Sequence, residues 1–332
     1  MPPRYTYAVD QHTVTRSYLE AFCDPVTPEL HAPSIWVVRL RDGSIKRRAP
    51  HNVAVEVDYY SRRLPSGEVD DGFERILSGV ESAAAPILRR IRAGSFSLTD
   101  EERERLAIFV SFMMVRVPSF RKYLARAVNK VAESLMRAMA QSPDFPSKPA
   151  IVKHSLSPEQ VNRMRHLALN AGSPEEGYTI EAAPEMSLGY AFKAALTPVP
   201  YLLGMRWQFL ISKGDPFITG DTPVTKRNDR IRPPLAAGIS LPDTEVTFPI
   251  GPSVCFRAWW RDGQGVVEIS GGEVADVNRE RVRFAEREVF ASSEGAAKAA
   301  LDVYAELLER GEAHANAISL MLIEGDGPPK PI

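Results

Sequence analysis

Cysteine is scarce in this chain. Its 332 residues hold two, Cys23 and Cys255, far apart in sequence, and neither has a partner at metal-ligand spacing. That excludes a disulfide framework and a cysteine-based zinc site, and makes reduced thiols in a cytoplasmic protein the expectation. Excess charge of either sign is lacking too. With 41 basic and 42 acidic residues the net charge is -1, so no global field draws the chain to nucleic acid or to an anionic membrane. No apolar run approaches the ~18 residues that would make a span, so no membrane partner is expected. The opening MPPRYTYAVDQH lacks the charged start and apolar run of a signal peptide. Nucleophile elbow, P-loop, dinucleotide fingerprint and internal repeat are all missing.

What is present is an ordinary globular composition, 44% hydrophobic and 25% charged, which excludes a collagen-like or wholly disordered chain. The pattern predicts an α+β fold, in which an antiparallel helical layer in the first half packs with a mostly antiparallel β-sheet from the N-terminal hairpin and the C-terminal half. Residues 1-70 read as an N-terminal arm and a β-hairpin, 71-196 as an antiparallel helical layer, and 197-332 as a β-rich part with two helices, all in one domain. The hairpin is IWVVRLRDGSIKRR, turned at Asp42-Gly43, and its Lys46, Arg47 and Arg48 read as a solvated, charge-protected edge, with an anion-binding strip as the alternative.

Helical periodicity begins after Asp70. Phe73, Ile76, Leu77, Val80, Ala84, Ile87, Leu88 and Ile91 share one stripe, with Pro86 on the polar side. Thr99 with Glu102 makes a capping box for a second helix, and a third follows Pro118. Ser157-Pro158 opens a helix to about Asn170, and another is predicted from about Pro184 to Leu196. Farther on, Val246, Phe248 and Ile250 alternate as a strand. Val254 to Trp260 forms the next, which RDGQG joins to VVEIS as a hairpin. Helices from about Val274 and Glu294 follow, Leu320 to Ile323 reads as an edge strand, and GDGPPKPI as a tail.

The organising stretch is Trp207 to Val224, WQFLISKGDPFITGDTPV. Trp207, Phe209 and Ile211 fall on one face at period two, and Asp215 and Asp221 sit on turns. Together with QHTVTRSYLEAF, IWVVRLRDG, HNVAVEVDYY, the helix carrying Glu74 and Glu81, FVSFMMVRVPSFR and TFPIGP, this stretch resembles an uncharacterised bacterial family, domain of unknown function 4238. The shared segments run from about His12 to Pro252. The family usually has proline two residues after the histidine, where this chain has Val14, and Ser and Asn around the aspartate, where it has Gly220 and Thr222. The resemblance implies an architecture and a set of important positions, not a reaction.

Those positions carry two readings. Glu74 and Glu81 stand one above the other on a helical edge, and Asp221 lies on a glycine-bearing turn. With His12 they are the candidate catalytic residues of a hydrolase, Asp221 and Glu81 holding a divalent metal. Arg116 would then clamp an anionic substrate, a phosphorylated small molecule or nucleic acid, and Trp207 would offer it an aromatic face. The alternative is a non-catalytic binding or partner module, in which Arg116 bridges Glu81 or Glu74 as an ionic lock between helices. Asp221 would then only fix a turn. His31, His51, His154, His166 and His314 stand in no metal-ligand spacing.

Overall fold

The structure is a computed structural model. It describes residues 10–25, 33–57, 59–60, 62–63, 69–70, 72–147, 154–173, 175, 189, 192–230 and 238–313. The helix expected from Pro184 has most of its residues outside these. The edge strand at Leu320 and the terminal tail lie wholly outside them.

The chain forms two compact units, Met1–Phe120 with Phe192–Ile332, and Arg121–Ala191. It begins with strand β1 (Asp10–His12), the single-turn helix α1 (Arg16–Leu19), the hairpin β2 (Ile35–Arg39) and β3 (Ser44–Arg48), then β4 (Val55–Val57) and the two-residue β5 (Arg62–Arg63) and β6 (Val69–Asp70). Helices α2 (Gly72–Arg92), α3 (Asp100–Val115), α4 (Pro118–Gln141), α5 (Pro158–Leu169) and α6 (Val199–Gly204) follow. Next come β7 (Arg206–Ile211), β8 (Thr219–Gly220), β9 (Thr225–Arg227), β10 (Glu245–Gly251), β11 (Val254–Trp259) and β12 (Gly265–Glu268). Helix α7 (Gly271–Phe284), strand β13 (Glu288–Ala291) and helix α8 (Glu294–Glu309) complete the series. The fold is α+β.

Local chemistry sets these boundaries. Gly43, at φ 66°, takes the left-handed turn position that lets β2 and β3 pair from Ile35↔Arg48 to Arg39↔Ser44. Thr99 accepts the Glu102 backbone N–H while the Glu102 side chain accepts that of Thr99, so two of the orphan N–H groups at the start of α3 are satisfied. Ser157 and Gln160 do the same for α5. Pro86 lies inside α2 on its exposed side, as the stripe requires.

The strands make two principal sheets rather than one. A four-stranded antiparallel sheet has the order β3-β2-β13-β8, and a five-stranded sheet the order β12-β7-β11-β10-β9. The Trp207–Val224 stretch therefore contributes β7 to one sheet and β8 to the other. The hairpin expected between β11 and VVEIS does not form. β11 already has β10 on one edge and β7 on the other, so β12 pairs with β7 instead, in parallel. Strand β3 is an edge, and its Arg47 reaches Asp24 at 3.2 Å.

Trp207, Phe209, Phe248 and Phe256 from the five-stranded sheet share a core with Leu88 and Ile91 of α2 and Leu106, Phe109 and Met113 of α3. Each such fully buried side chain is worth about 1.5–3 kcal/mol relative to exposure. The other face of β7 is buried as well, through Leu210 with Phe217, Cys255 and Val274. Val38 and Val289 of the four-stranded sheet, with Ile218 just before β8, pack with Val282 of α7 and Ala297, Ala300 and Leu307 of α8. In the second unit, Ala140, Phe145 and Ala168 form a small core with Met136, Leu156 and Val161. Among the described residues no helix is long and apolar enough to cross a membrane.

Candidate functional site

Strand β1 pairs with β4 through Asp10↔Val57, Gln11↔Glu56 and His12↔Val55. Thr13 continues the contact, its N–H donating to the Ala54 carbonyl at 2.8 Å, and Thr15 then leads into α1. Arg116 caps the C-terminus of α3 and turns its guanidinium into this segment. Nη1 donates to Glu81 Oε1 at 2.5 Å, Nη2 to the His12 carbonyl at 2.6 Å and Nε to the Tyr60 hydroxyl at 3.2 Å. Glu81 Oε2 accepts from the Thr15 hydroxyl at 2.8 Å. The Tyr60 backbone N–H in turn donates to Gln11 Oε1 at 2.5 Å. One buried guanidinium thus ties β1, Tyr60, α2 and the end of α3.

The charges are arranged to keep Arg116 protonated. Burial opposes its charge, but Tyr60 and Glu81 outweigh that and raise its pKa. Burial pushes the Tyr60 phenol up; Arg116 pulls it down, and Glu74 and Glu81 push it up again. Glu74, in the first turn of α2, therefore belongs to the same neighbourhood.

His12 lines the cluster with its ring as well as its carbonyl. The ring is part-buried and hydrogen-bonds the Pro50 carbonyl, while Nε2 is buried with no hydrogen-bond partner. The donor to Pro50 is therefore the other ring nitrogen. In the neutral ring this leaves the lone pair on Nε2. Burial holds the imidazole below the usual histidine range; the Pro50 carbonyl and Glu81 act against this, and Arg116 and Arg16 act with it.

Asp221 is engaged elsewhere, at the joint between β8 and β13. Its Oδ1 accepts from the Glu286 N–H at 2.9 Å, and its Oδ2 from Arg287 N–H at 2.6 Å and Glu288 N–H at 3.0 Å. Its own N–H donates to the Glu288 carbonyl at 3.0 Å. Burial raises the carboxyl pKa to about 6 against the pull of those three N–H groups. Trp207 is 3% exposed; its indole N–H donates to the Leu202 carbonyl at 2.7 Å, and Arg103 stacks 4.1 Å from its ring centroid.

The structure thus brings His12, Glu74, Glu81 and Arg116 into one neighbourhood, and gives Asp221 and Trp207 partners of their own. Glu81 and Asp221 do not fit the role of metal ligands, because both oxygens of each are engaged by hydrogen-bond donors within the protein. Among the described residues no group of three or more His, Cys, Asp or Glu side chains converges to hold a metal ion.

Tyr60, which joins the cluster, and Arg281, which is buried apart from it, were not singled out from the sequence. Tyr60 ends the HNVAVEVDYY segment with no spacing to mark it. Arg281 is fully buried, donating from Nη1 to the Pro223 carbonyl at 2.6 Å and from Nη2 to the hydroxyls of Thr225 and Thr247. It falls on the same helical stripe as Val274 and Val277, which is the signal that would have found it.

The family model described as "Protein of unknown function (DUF4238)" matches residues 10–295. The chain belongs to that family. No curated protein and no solved structure matches the chain.

Proposed function

We propose that the protein is a hydrolase whose general base is His12, acting on a phosphorylated or nucleic-acid substrate. The observation that carries this reading is the Nε2 of His12, a desolvated lone pair with no partner in the protein, on a ring whose tautomer the Pro50 carbonyl selects. A ring held neutral below the ordinary histidine range is ready at neutral pH to take a proton from water as that water attacks phosphorus. Glu81 and Arg116 act here as positioning residues, fixing the main chain of His12 through its carbonyl. Because Nε2 is buried, substrate binding must open its surroundings.

The test is hydrolysis of p-nitrophenyl phosphate and bis(p-nitrophenyl) phosphate by the full chain and by His12→Asn. Loss of a general base predicts a fall of about 10²–10⁴ in rate with an unchanged unfolding midpoint. Equal rates in the two proteins would sink the assignment. A second reading, a non-catalytic binding module, is favoured by the engaged oxygens of Glu81 and Asp221, which behave as an ionic lock and a backbone clamp. Hydrolysis of neither probe, together with a large loss of stability in Glu81→Gln, would favour that reading.

A further inference from the structure

Lysine 226 sits in β9, the edge strand of the five-stranded sheet, with Val246 as its cross-strand partner. Directly paired residues project from the same face, so the row across that face runs Lys226, Val246, Ala258, Trp207. Val246, Ala258 and Trp207 are all buried in the core that this sheet shares with α2 and α3, as is the neighbouring Val224. The flanking residues of β9 turn to the opposite face, where Thr225 meets Thr247 and Arg281. Arg227 pairs with Asp229 at 2.8 Å. Lys226 has no such acid among the described residues. Among the described residues none lies within ion-pair reach of its ammonium, and burial alone pulls its pKa below the usual lysine value, with no neighbouring charge contributing.

We propose that Lys226 is a reactive amine that forms an imine with a small carbonyl compound, an aldehyde or ketone. An apolar wall and a missing counter-charge are the two conditions that turn a lysine from a solvated cation into a nucleophile. The residue is partly exposed, so a small electrophile can reach it. In the reaction the neutral nitrogen's lone pair attacks the carbonyl carbon and the C=O π pair moves to oxygen, which takes up a proton. The nitrogen gives up one proton to form the neutral carbinolamine; its hydroxyl then takes a second proton and leaves as water while the nitrogen lone pair forms the C=N bond and the nitrogen gives up its other proton. Amine and carbonyl give imine and water, with no oxidant or reductant required. The site is separate from His12 and does not depend on the reading given above.

The test is limiting reductive methylation of the folded full chain with formaldehyde and cyanoborohydride, at pH 7 and then across a pH series, with each lysine followed by peptide mass spectrometry. The borohydride reagent supplies the hydride that traps the imine. Lys226 is expected to be labelled at least tenfold faster than the exposed Lys46, Lys122 and Lys213. Its rate should level off at a lower pH than theirs. Labelling no faster than those lysines, or a rate that levels off at the same pH as theirs, overturns the proposal. Both results come from the wild-type chain, so the outcome stands whether or not Lys226→Met folds. His12→Asn should leave Lys226 labelling unchanged, which keeps this result apart from the hydrolase assignment.

Discussion

Arg116 meets His12 through the main chain: its Nη2 donates to the His12 carbonyl at 2.6 Å, while the imidazole Nε2 is left without a partner. The same guanidinium is neutralised by Glu81 and braced by Tyr60. Arginine therefore fixes where the histidine stands without competing for its lone pair.

Removing that guanidinium should be costly. Arg116→Met leaves Glu81 Oε1 and the Tyr60 hydroxyl without their donor and the His12 carbonyl with only the Tyr60 hydroxyl at 3.3 Å, and breaking this part-buried pair should cost up to about 3 kcal/mol. Urea unfolding measures it. Arg116→Lys should recover little, because a single ammonium cannot match the three directions of a planar fork. Full rescue by lysine would show that charge alone holds the cluster.

Asp221 and His12 should impose opposite pH slopes on stability. The folded Asp221 carboxyl has a pKa of about 6 against an ordinary value of 3.8, so the folded state holds its proton longer than the unfolded chain. Its contribution is most favourable below about 4, falls as pH rises to about 6, and is level above. Asp221→Asn should therefore be less destabilising at pH 7.5 than at pH 4.5. A cost that grows with pH would contradict the direction assigned here.

For His12 the folded pKa lies below the ordinary 6.5. The unfolded chain binds a proton first as pH falls, so stability is lost from about 6.5 down to the folded pKa and is level below it. His12→Gln should flatten that part of the profile in paired urea titrations. An unchanged acid limb in the variant would mean that the ring titrates like one exposed to water.

Much of this was legible in the sequence. The capping boxes, the Asp42-Gly43 turn and the α2 stripe are local, and each is set by residues a few positions apart. The division into two sheets was not legible, because strand pairing is decided by which edges remain free. Asp221 reads as a turn residue from Asp-Thr-Pro, yet its carboxylate serves backbone N–H groups at 286–288, far along the chain. The helix pair Glu81 and Arg116 could be paired on paper, whereas the contributions of Thr15, Tyr60 and the His12 carbonyl depend on a chain path that no spacing records.

The most direct test of the central claim is a ¹⁵N titration of the His12 ring from pH 5 to 8 in the full chain, assigned against His12→Asn, with and without p-nitrophenyl phosphate. The account predicts a neutral ring at pH 7 with its proton on Nδ1 and a bare Nε2, a pKa below 6.5, and a change in the Nε2 shift when the phosphoester binds. A proton on Nε2 at pH 7, or a ring indifferent to the phosphoester, would contradict His12 as the base.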